Sequence, residues 1–121
     1  VTLLVGSLGF GRQCVDLLEQ KGVKCIHVFD DNKRERRNKK HAFYMGAARV
    51  KACTIHSFKG WETRTLVVHI ANASSAGALA AVYVALSRLK WHAAGSYLTV
   101  VCSASNLRAY GQTWPDFVEV R

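Results

Sequence analysis

The chain has 121 residues, of which 50% are apolar and 21% are charged, and its net charge is +9. This length and composition predict one folded domain over residues 1–121 with a substantial core, and they exclude a disordered chain. The excess of positive charge predicts a polyanionic partner, most often nucleic acid, whereas no apolar run reaches the roughly 18 residues that a membrane-spanning helix needs.

The four cysteines, Cys14, Cys25, Cys53 and Cys102, are scattered through apolar runs and form no CxxC pair. This pattern predicts buried thiols in a reducing compartment and no structural metal site. The chain begins at Val1 without a basic and then apolar leader. We therefore expect no signal peptide and a cytoplasmic location, and the missing initiator methionine fits a piece of a longer protein.

The beginning of the chain predicts a strand, a helix and a second strand. Residues 1–5 form a β-rich apolar run, and residues 10–20 carry apolar side chains at helical spacing. Gly22 follows the last helical turn, where a C-terminal cap is expected. Residues 23–29 form the second strand. Because a helix joins the two strands, we expect them to be parallel.

Residues 30–41 are the most charged stretch, with six Lys or Arg, three acids and no apolar residue. Two interpretations stay open for it. One is a solvated loop or an exposed helical turn. The other, which concerns residues 33–40 above all, is an edge that contacts phosphates of nucleic acid without regard to base sequence.

The remainder of the chain predicts three strands and two helices. The strands cover residues 50–55, 65–70 and 96–102. The helices cover residues 76–90, after N-cap candidates at 72–75, and residues 106–112. The first of these helices is rich in alanine and places Leu79, Tyr83, Leu86 and Lys90 along one side. Alternating strands and helices predict an α/β domain with a mostly parallel central sheet.

The first candidate site is the glycine-rich sequence GSLGFG at 6–11, with Asp30 at the end of the second strand. This order is similar to a dinucleotide-binding fold, in which glycines admit a pyrophosphate and a carboxylate accepts from a ribose hydroxyl. The glycines are spaced G-x-x-G-x-G rather than G-x-G-x-x-G, which favours a strand-to-helix turn that needs positive φ. A Rossmann-like regulatory domain that senses NAD or a similar nucleotide stays open as the alternative.

The second candidate site is the sequence TIHSFKGWE at 54–62, which joins two predicted strands. It brings an imidazole, hydroxyls, an ammonium and a carboxylate into one connector, and such loops often carry binding groups. Together with YVALSR at 83–88, this connector resembles motifs V and VI of superfamily 1 helicases of the UvrD/Rep/PcrA type. The usual forms in that family are close to T-x-H-x-x-K-G-L-E and Y-V-A-x-T-R. The predicted strand YLTVVCS at 97–103 is also similar to the family's strand after motif VI.

The resemblance implies a three-layer RecA-like domain, similar in fold to P-loop NTPases, that closes over ATP. It implies that Arg88 is the catalytic residue that reaches the γ-phosphate, because a guanidinium donates several fixed hydrogen bonds to phosphoryl oxygens. It further implies that Glu62 accepts from the nucleotide ribose and that Gly60 shapes the turn at the nucleotide site. Tyr83 is expected to belong to the core of motif VI.

The same resemblance implies contacts to single-stranded DNA from Thr54, His56, Ser57 and Lys59, whose hydroxyl, imidazole and ammonium groups suit phosphates. No G-x-x-x-x-G-K-[ST] loop and no paired acidic strand end for Mg²⁺ occurs in the chain. In the family these features belong to an N-terminal RecA-like lobe, which is the implied partner and holds most of the ATP and Mg²⁺ contacts. The isolated chain, as a C-terminal motor domain, is therefore not expected to hydrolyse ATP.

Simpler interpretations stay open for the same residues. Arg88 near a helix C-terminus stabilises the helix dipole without any ligand. Glu62 has Arg64 nearby as a possible ion-pair partner. A basic nucleic-acid-binding module without catalysis is a third candidate function. The motifs also depart from the family's usual forms at two positions, with Trp61 in place of leucine and Ser87 in place of threonine.

Overall fold

A computed structural model of the chain describes residues 1–27, 29, 50–58 and 60–120. The charged stretch 30–41, which includes Asp30, and Lys59 lie outside these residues. The strands of the described part, β1 to β5 in chain order, are Thr2–Val5, Cys25–His27, Val50–Thr54, Thr65–Ile70 and Tyr97–Cys102. Its helices, α1 to α3, are Leu8–Gln20, Ala76–Leu86 and Arg108–Gly111, with short 3-10 turns at His56–Phe58 and Ser105–Leu107.

The five strands form one parallel sheet in the order β2-β3-β1-β4-β5. In the register, Leu3 of β1 lies between Ala52 of β3 and Val67 of β4. The predicted strand–helix–strand unit is therefore parallel, as expected, although β3 separates its two strands. The prediction of an α/β domain with a parallel central sheet is confirmed.

Helices α1 and α2 pack on opposite faces of this sheet. Because side chains alternate along a strand, Leu3 and Val5 point to one face and Leu4 points to the other. Val15 of α1 packs with Leu3 and Val5, whereas Ala85 of α2 packs with Leu4 in a separate core cluster. One helix layer on each side of a sheet gives three layers, so the predicted three-layer architecture is confirmed.

The ends of α1 are fixed by local hydrogen bonds that the sequence indicates. The Ser7 side chain accepts from the Phe10 N–H at the N-cap. At the other end, Gly22 has φ of +80° and its N–H donates to the Glu19 carbonyl at 2.9 Å. A left-handed residue at this position closes the helix, so the prediction that Gly22 acts as the C-terminal cap is confirmed.

Helix α2 begins where the sequence indicates but ends earlier than predicted. The Ser75 side chain accepts from the Ala78 N–H at the N-cap. The helix ends at Leu86 rather than residue 90, because Lys90 instead donates its N–H to the Thr63 carbonyl at 2.7 Å. The last residues of the predicted helix therefore pair with the backbone of Thr63 instead of continuing the helix.

The prediction that Tyr83 belongs to the core is wrong, since its side chain is 75% exposed. Leu79 on the same predicted stripe is also exposed, whereas Ala85, Val82 and Leu86 face the sheet. Helix α2 is apolar on every side, so that the spacing of its apolar residues does not single out one face.

The glycine-rich segment 6–11 does not form the predicted turn with positive φ. Among the described glycines, positive φ occurs at Gly22, Gly60 and Gly95 only. Gly9 and Gly11 lie within α1. A Cβ added at Gly11 would lie 2.5 Å from the ring of the buried Phe29, so this glycine lets the helix approach the sheet closely. Close packing, rather than backbone conformation, therefore explains the glycine at this position.

All four cysteines lie in the described residues and none is in a disulfide. Cys53 is buried as predicted, whereas Cys102 at the end of the edge strand β5 is exposed, so the prediction of burial is wrong there. Burial raises the pKa of the Cys14 and Cys25 thiols and so keeps them protonated. Within the described ranges, no group of three His, Cys, Asp or Glu forms a potential metal site. In the same part of the chain, no helix is long and apolar enough to cross a bilayer.

His69 of β4 stacks on Phe10 of α1, with ring centroids 4.0 Å apart. Burial lowers the pKa of His69 from its ordinary value of 6.5, because it disfavours the charged imidazolium. As the pH falls through 6.5, the unfolded chain takes up a proton here before the folded chain does. The contribution of His69 to the free energy of unfolding is therefore greatest above this pH and decreases as the pH falls below it.

We expect the melting temperature to fall on acidification more steeply in the wild-type chain than in His69→Phe, which keeps the stacked ring but does not titrate. Thermal melts at a series of pH values check this difference. Parallel curves for the wild type and His69→Phe would contradict the assignment.

Candidate functional site

The connector 54–62 runs from one edge of the sheet to the other. Because β3 and β4 are parallel neighbours of β1, the chain must return from the carboxyl edge, where strands end, to the amino edge, where they begin. At the carboxyl edge the Ile55 N–H donates to the Val5 carbonyl at 3.1 Å. Midway, Phe58 is buried in the core beneath α2. The connector therefore has two separate polar ends around one apolar anchor.

At the carboxyl edge, Thr54, His56 and Ser57 lie together. The Thr54 hydroxyl donates to the Ser57 Oγ at 3.0 Å, and the Ser57 N–H donates to the Thr54 Oγ1 at 3.3 Å. His56 begins the 3-10 turn and is exposed. Hydroxyls and an imidazole at one strand end can donate to phosphate oxygens. The structure thus brings together the predicted DNA contacts that it describes.

At the amino edge, an isolated parallel bridge pairs the backbone of Thr63, which follows Glu62, with that of Leu89, which follows Arg88. The Thr63 N–H donates to the Arg88 carbonyl at 2.9 Å, and the Lys90 N–H donates to the Thr63 carbonyl at 2.7 Å. The bridge thereby joins the two ends of the predicted nucleotide site. The carboxylate and the guanidinium come from segments that are 26 positions apart in the sequence (88 minus 62).

The Arg88 guanidinium folds back onto the end of α2. Its Nε donates to the Val84 carbonyl at 3.3 Å, and its Nη2 donates to the Ser87 Oγ at 3.1 Å. These contacts stabilise the negative end of the helix dipole. Because a guanidinium has five N–H groups, the two bonds do not use up its donors. Arg88 can therefore serve the helix end and still bind an anion.

Glu62 is exposed, and no described residue lies within ion-pair distance of its carboxylate. Arg64 is not its partner, because Arg64 donates through Nε to the Gly95 carbonyl at 2.6 Å and through Nη2 to the Ala94 carbonyl at 3.1 Å. The simpler interpretation that Glu62 pairs with Arg64 is therefore wrong. The carboxylate remains accessible to a hydroxyl donor from a ligand.

Gly60 adopts φ of +88°, which side chains other than glycine rarely accept. The following Trp61 N–H donates to the Phe58 carbonyl at 3.0 Å, which closes a turn over the buried anchor. Gly60 therefore sets the direction in which the chain leaves the core and approaches Glu62. Its contribution is backbone geometry rather than a side-chain contact.

One residue of this edge was missed by sequence reasoning. Trp91 follows the bridge and its side chain is 82% exposed. The sequence signal was present, because the tryptophan stands between Lys90 and His92 in a stretch that ends with Gly95. A lysine beside an aromatic residue is typical of surfaces that bind nucleotides or nucleic acid.

No protein-family model matches the chain, and no curated protein matches it. Among solved structures, the chain is similar to the crystal structure of the C-terminal domain of a possible DNA helicase from Lactobacillus plantarum WCFS1. The match has a TM-score of 0.57 at 15% sequence identity and covers 85% of this chain. It covers 55% of that chain, so the present chain spans about half the length of the solved structure.

The fold belongs to the class of three-layer α/β domains with a parallel central sheet. Its five parallel strands between two helix layers agree with the RecA-like fold expected from the sequence, and the same fold occurs in the possible helicase domain. At 15% identity the likeness shows the fold alone.

Proposed function

We propose that the chain is the second, C-terminal RecA-like motor domain of an ATP-dependent superfamily 1 DNA helicase of the UvrD/Rep/PcrA type. The observation that supports this proposal is the connector 54–62, which has hydroxyls and an imidazole at one edge of the sheet and, at the other, a backbone bridge from Thr63, after Glu62, to Leu89, after Arg88. A single anchored segment that joins two sites of this chemistry suits a domain that couples nucleotide to strand binding. The likeness to a possible DNA helicase domain supports the same assignment.

In this proposal ATP and Mg²⁺ are held mainly by an N-terminal lobe of the same parent protein, and the present domain completes the site. Arg88 donates to the phosphoryl oxygens on which charge develops during transfer, and Glu62 accepts from the ribose. Closure of two lobes positions such groups only when nucleotide is bound. The parent protein is then the enzyme, with a cytoplasmic location and no membrane partner.

Single-stranded DNA is the proposed partner of the carboxyl edge. Thr54, His56 and Ser57 donate to phosphates, and Lys59 adds a charge. Because Phe58 anchors the connector between its two ends, a shift of Glu62 against the nucleotide is transmitted toward His56. This arrangement links the nucleotide state to the grip on the strand.

Oligonucleotide binding by the chain tests the proposal. We expect weak binding to single-stranded DNA whose affinity falls steeply with salt, as phosphate contacts require. Thr54→Val combined with His56→Ala is expected to weaken binding roughly tenfold, the loss of one or two charge-assisted or neutral hydrogen bonds. Thr99→Val, the same threonine change on the exposed side of β5, is the matched control and is expected to leave binding unchanged. Fluorescence anisotropy with a labelled oligonucleotide gives the affinities.

Equal losses in the site variant and in Thr99→Val would contradict the placement of DNA at the carboxyl edge. Titration with NAD adds a second arm to the experiment. Tight NAD binding without oligonucleotide binding would reject the helicase assignment and select the dinucleotide-sensing alternative.

A further inference from the structure

Trp91 is the most exposed tryptophan, tyrosine or phenylalanine of the described residues, at 82%. Burial of an indole is strongly favourable, and a tryptophan left in water therefore commonly marks a surface that meets a ligand or a partner. The other two tryptophans are less exposed: Trp61 is 46% exposed, and Trp114 is half-buried with its ring against Tyr110. Trp91 is thus the indole with the largest surface available to a ligand.

The turn that carries this indole, residues 90–96, is held by its own hydrogen bonds. The Ser96 hydroxyl donates to the Lys90 carbonyl, and the Gly95 N–H donates to the His92 carbonyl at 2.9 Å. The His92 Nδ1 accepts from the N–H of Ala94 at 3.0 Å. These bonds fix the backbone on both sides of Trp91, although its side chain makes little contact with the protein.

Arg64, the residue before β4, holds the same turn. Its guanidinium donates to the carbonyls of Ala94 and Gly95, and Gly95 adopts φ of +106° to present its carbonyl. A backbone that is already ordered loses no further conformational entropy when a ligand binds. The turn therefore fixes the point of the surface from which the Trp91 side chain projects.

The turn lies at the same edge as the proposed nucleotide site. Lys90, the residue before Trp91, donates its N–H to the carbonyl of Thr63, which follows Glu62. Arg88 lies three positions before Trp91 in the sequence. Lys90 and His92, on either side of the indole, are both exposed. A ribose at Glu62 and a phosphate at Arg88 would place the base of the same nucleotide in this neighbourhood.

We propose, on the basis of the function proposed above, that Trp91 stacks on the base of the nucleotide whose ribose and phosphates meet Glu62 and Arg88. An exposed indole offers a flat π-face to a base, and the neighbouring Lys90 adds favourable charge. The base could belong to a mononucleotide or to a DNA strand, and the location selects the mononucleotide. The proposed DNA contacts lie at the opposite edge, across strands of four to six residues, which is roughly 13–20 Å.

The test follows the tryptophan indole N–H resonances of this domain by NMR while ligand is added, in a parent protein that also contains the N-terminal lobe. ADP and ribose 5-phosphate are compared, because they share the sugar and a phosphate but only ADP has a base. We expect ADP to shift the Trp91 indole through ring currents and ribose 5-phosphate to leave it unchanged. Trp91→Ala is expected to weaken ADP binding roughly ten- to hundredfold, as for other base-stacking aromatics, and to leave ribose 5-phosphate unaffected. Trp91→Phe should retain much of the affinity, and Trp114→Phe is the matched control.

The possible outcomes separate this inference from the function beneath it. ADP that shifts the amides of Glu62 and Arg88 but not the Trp91 indole would overturn the stacking and leave the proposed function standing. A shift of the Trp61 indole in its place would likewise overturn the assignment to Trp91. ADP that perturbs none of these residues would remove the proposed nucleotide site together with the inference. If a thymidine oligonucleotide shifts the Trp91 indole resonance more strongly than ADP does, the stacked base belongs to a DNA strand. That result would refute the proposal that Trp91 stacks on the base of a mononucleotide.

Discussion

Replacement of Arg88 by alanine is expected to lower ATP turnover about a thousandfold or more in a parent protein that contains this domain, with nucleotide binding largely kept. The reason is that an arginine directed at the transferring phosphate stabilises charge that develops only in the transition state. The bridge between Thr63 and Leu89 is made by the backbone and does not depend on the Arg88 side chain. The variant is therefore expected to keep the proposed contact between Glu62 and the ribose. Steady-state turnover and equilibrium binding of nucleotide, measured on the same preparation, check the prediction.

A lysine at position 88 separates the two roles that the structure allows for this side chain. Arg88→Lys keeps a positive charge at the end of α2 and so preserves most of its effect on the helix dipole. It lacks the fork of fixed donors, and turnover is therefore expected to stay low. Arg108→Ala is the control, because Arg108 is an exposed arginine whose guanidinium pairs with Glu119. It is expected to leave turnover unchanged.

Two results would reject this role for Arg88. One is a loss of nucleotide binding with unchanged turnover per bound nucleotide. The other is full turnover by Arg88→Lys, which would leave charge at the helix end as the whole contribution of the residue.

The strands could be predicted from the sequence because each is a short β-rich run bounded by clear turn residues. Thr65–Ile70 has the predicted bounds, and Val50–Thr54 and Tyr97–Cys102 each differ by one residue at an end. The position of β3 between β1 and β2 could not be predicted from local pattern. It depends on pairing between segments far apart in the chain, and the apolar pattern of a buried parallel strand does not select its neighbour.

The face of α2 was beyond sequence reasoning for a different reason. A helix that is apolar all round has no polar side to exclude. The predicted stripe therefore combined Leu86, which packs against the core, with Leu79 and Tyr83, which are exposed. Gly11 shows a related limit, because a glycine needed for positive φ and a glycine needed for close packing look the same in a sequence. Only the position of Phe29 against α1 distinguishes the two.

The sequence selected candidate site residues but could not give their arrangement in space. The resemblance of residues 54–62 and 83–88 to two helicase motifs named Glu62 and Arg88 as partners at one nucleotide. Their proximity depends on the bridge between Thr63 and Leu89, which lies outside both motifs' local pattern. Trp91 was passed over because neither motif includes it, although its exposure is evident once the fold is known.

The second large effect is expected at Gly11, where alanine should lower the free energy of unfolding by up to about 2 kcal/mol. This is the usual cost of about 1–3 kcal/mol for overpacking a well-packed core, less the gain of alanine over glycine in a helix. The new Cβ would lie 2.5–2.8 Å from three ring atoms of Phe29, and this ring is fully buried. The Arg12 guanidinium donates to the Phe29 carbonyl and so holds that backbone in place. The clash therefore outweighs the gain of about 1 kcal/mol that alanine brings over glycine in a helix. Denaturant unfolding gives the difference.

Gly9→Ala is the matched control, because Gly9 lies in the same helix, two residues before Gly11. A Cβ added at Gly9 meets no atom within 4 Å. This variant is expected to be as stable as the wild type or more stable by up to about 1 kcal/mol, through helix propensity alone. Phe29→Leu in the Gly11→Ala background should recover part of the loss, because the smaller side chain makes room for the methyl group. Equal stabilisation by Gly9→Ala and Gly11→Ala, or no coupling between Gly11 and Phe29, would show that the helix is free to move away from the sheet. In that case packing against Phe29 would not explain the glycine.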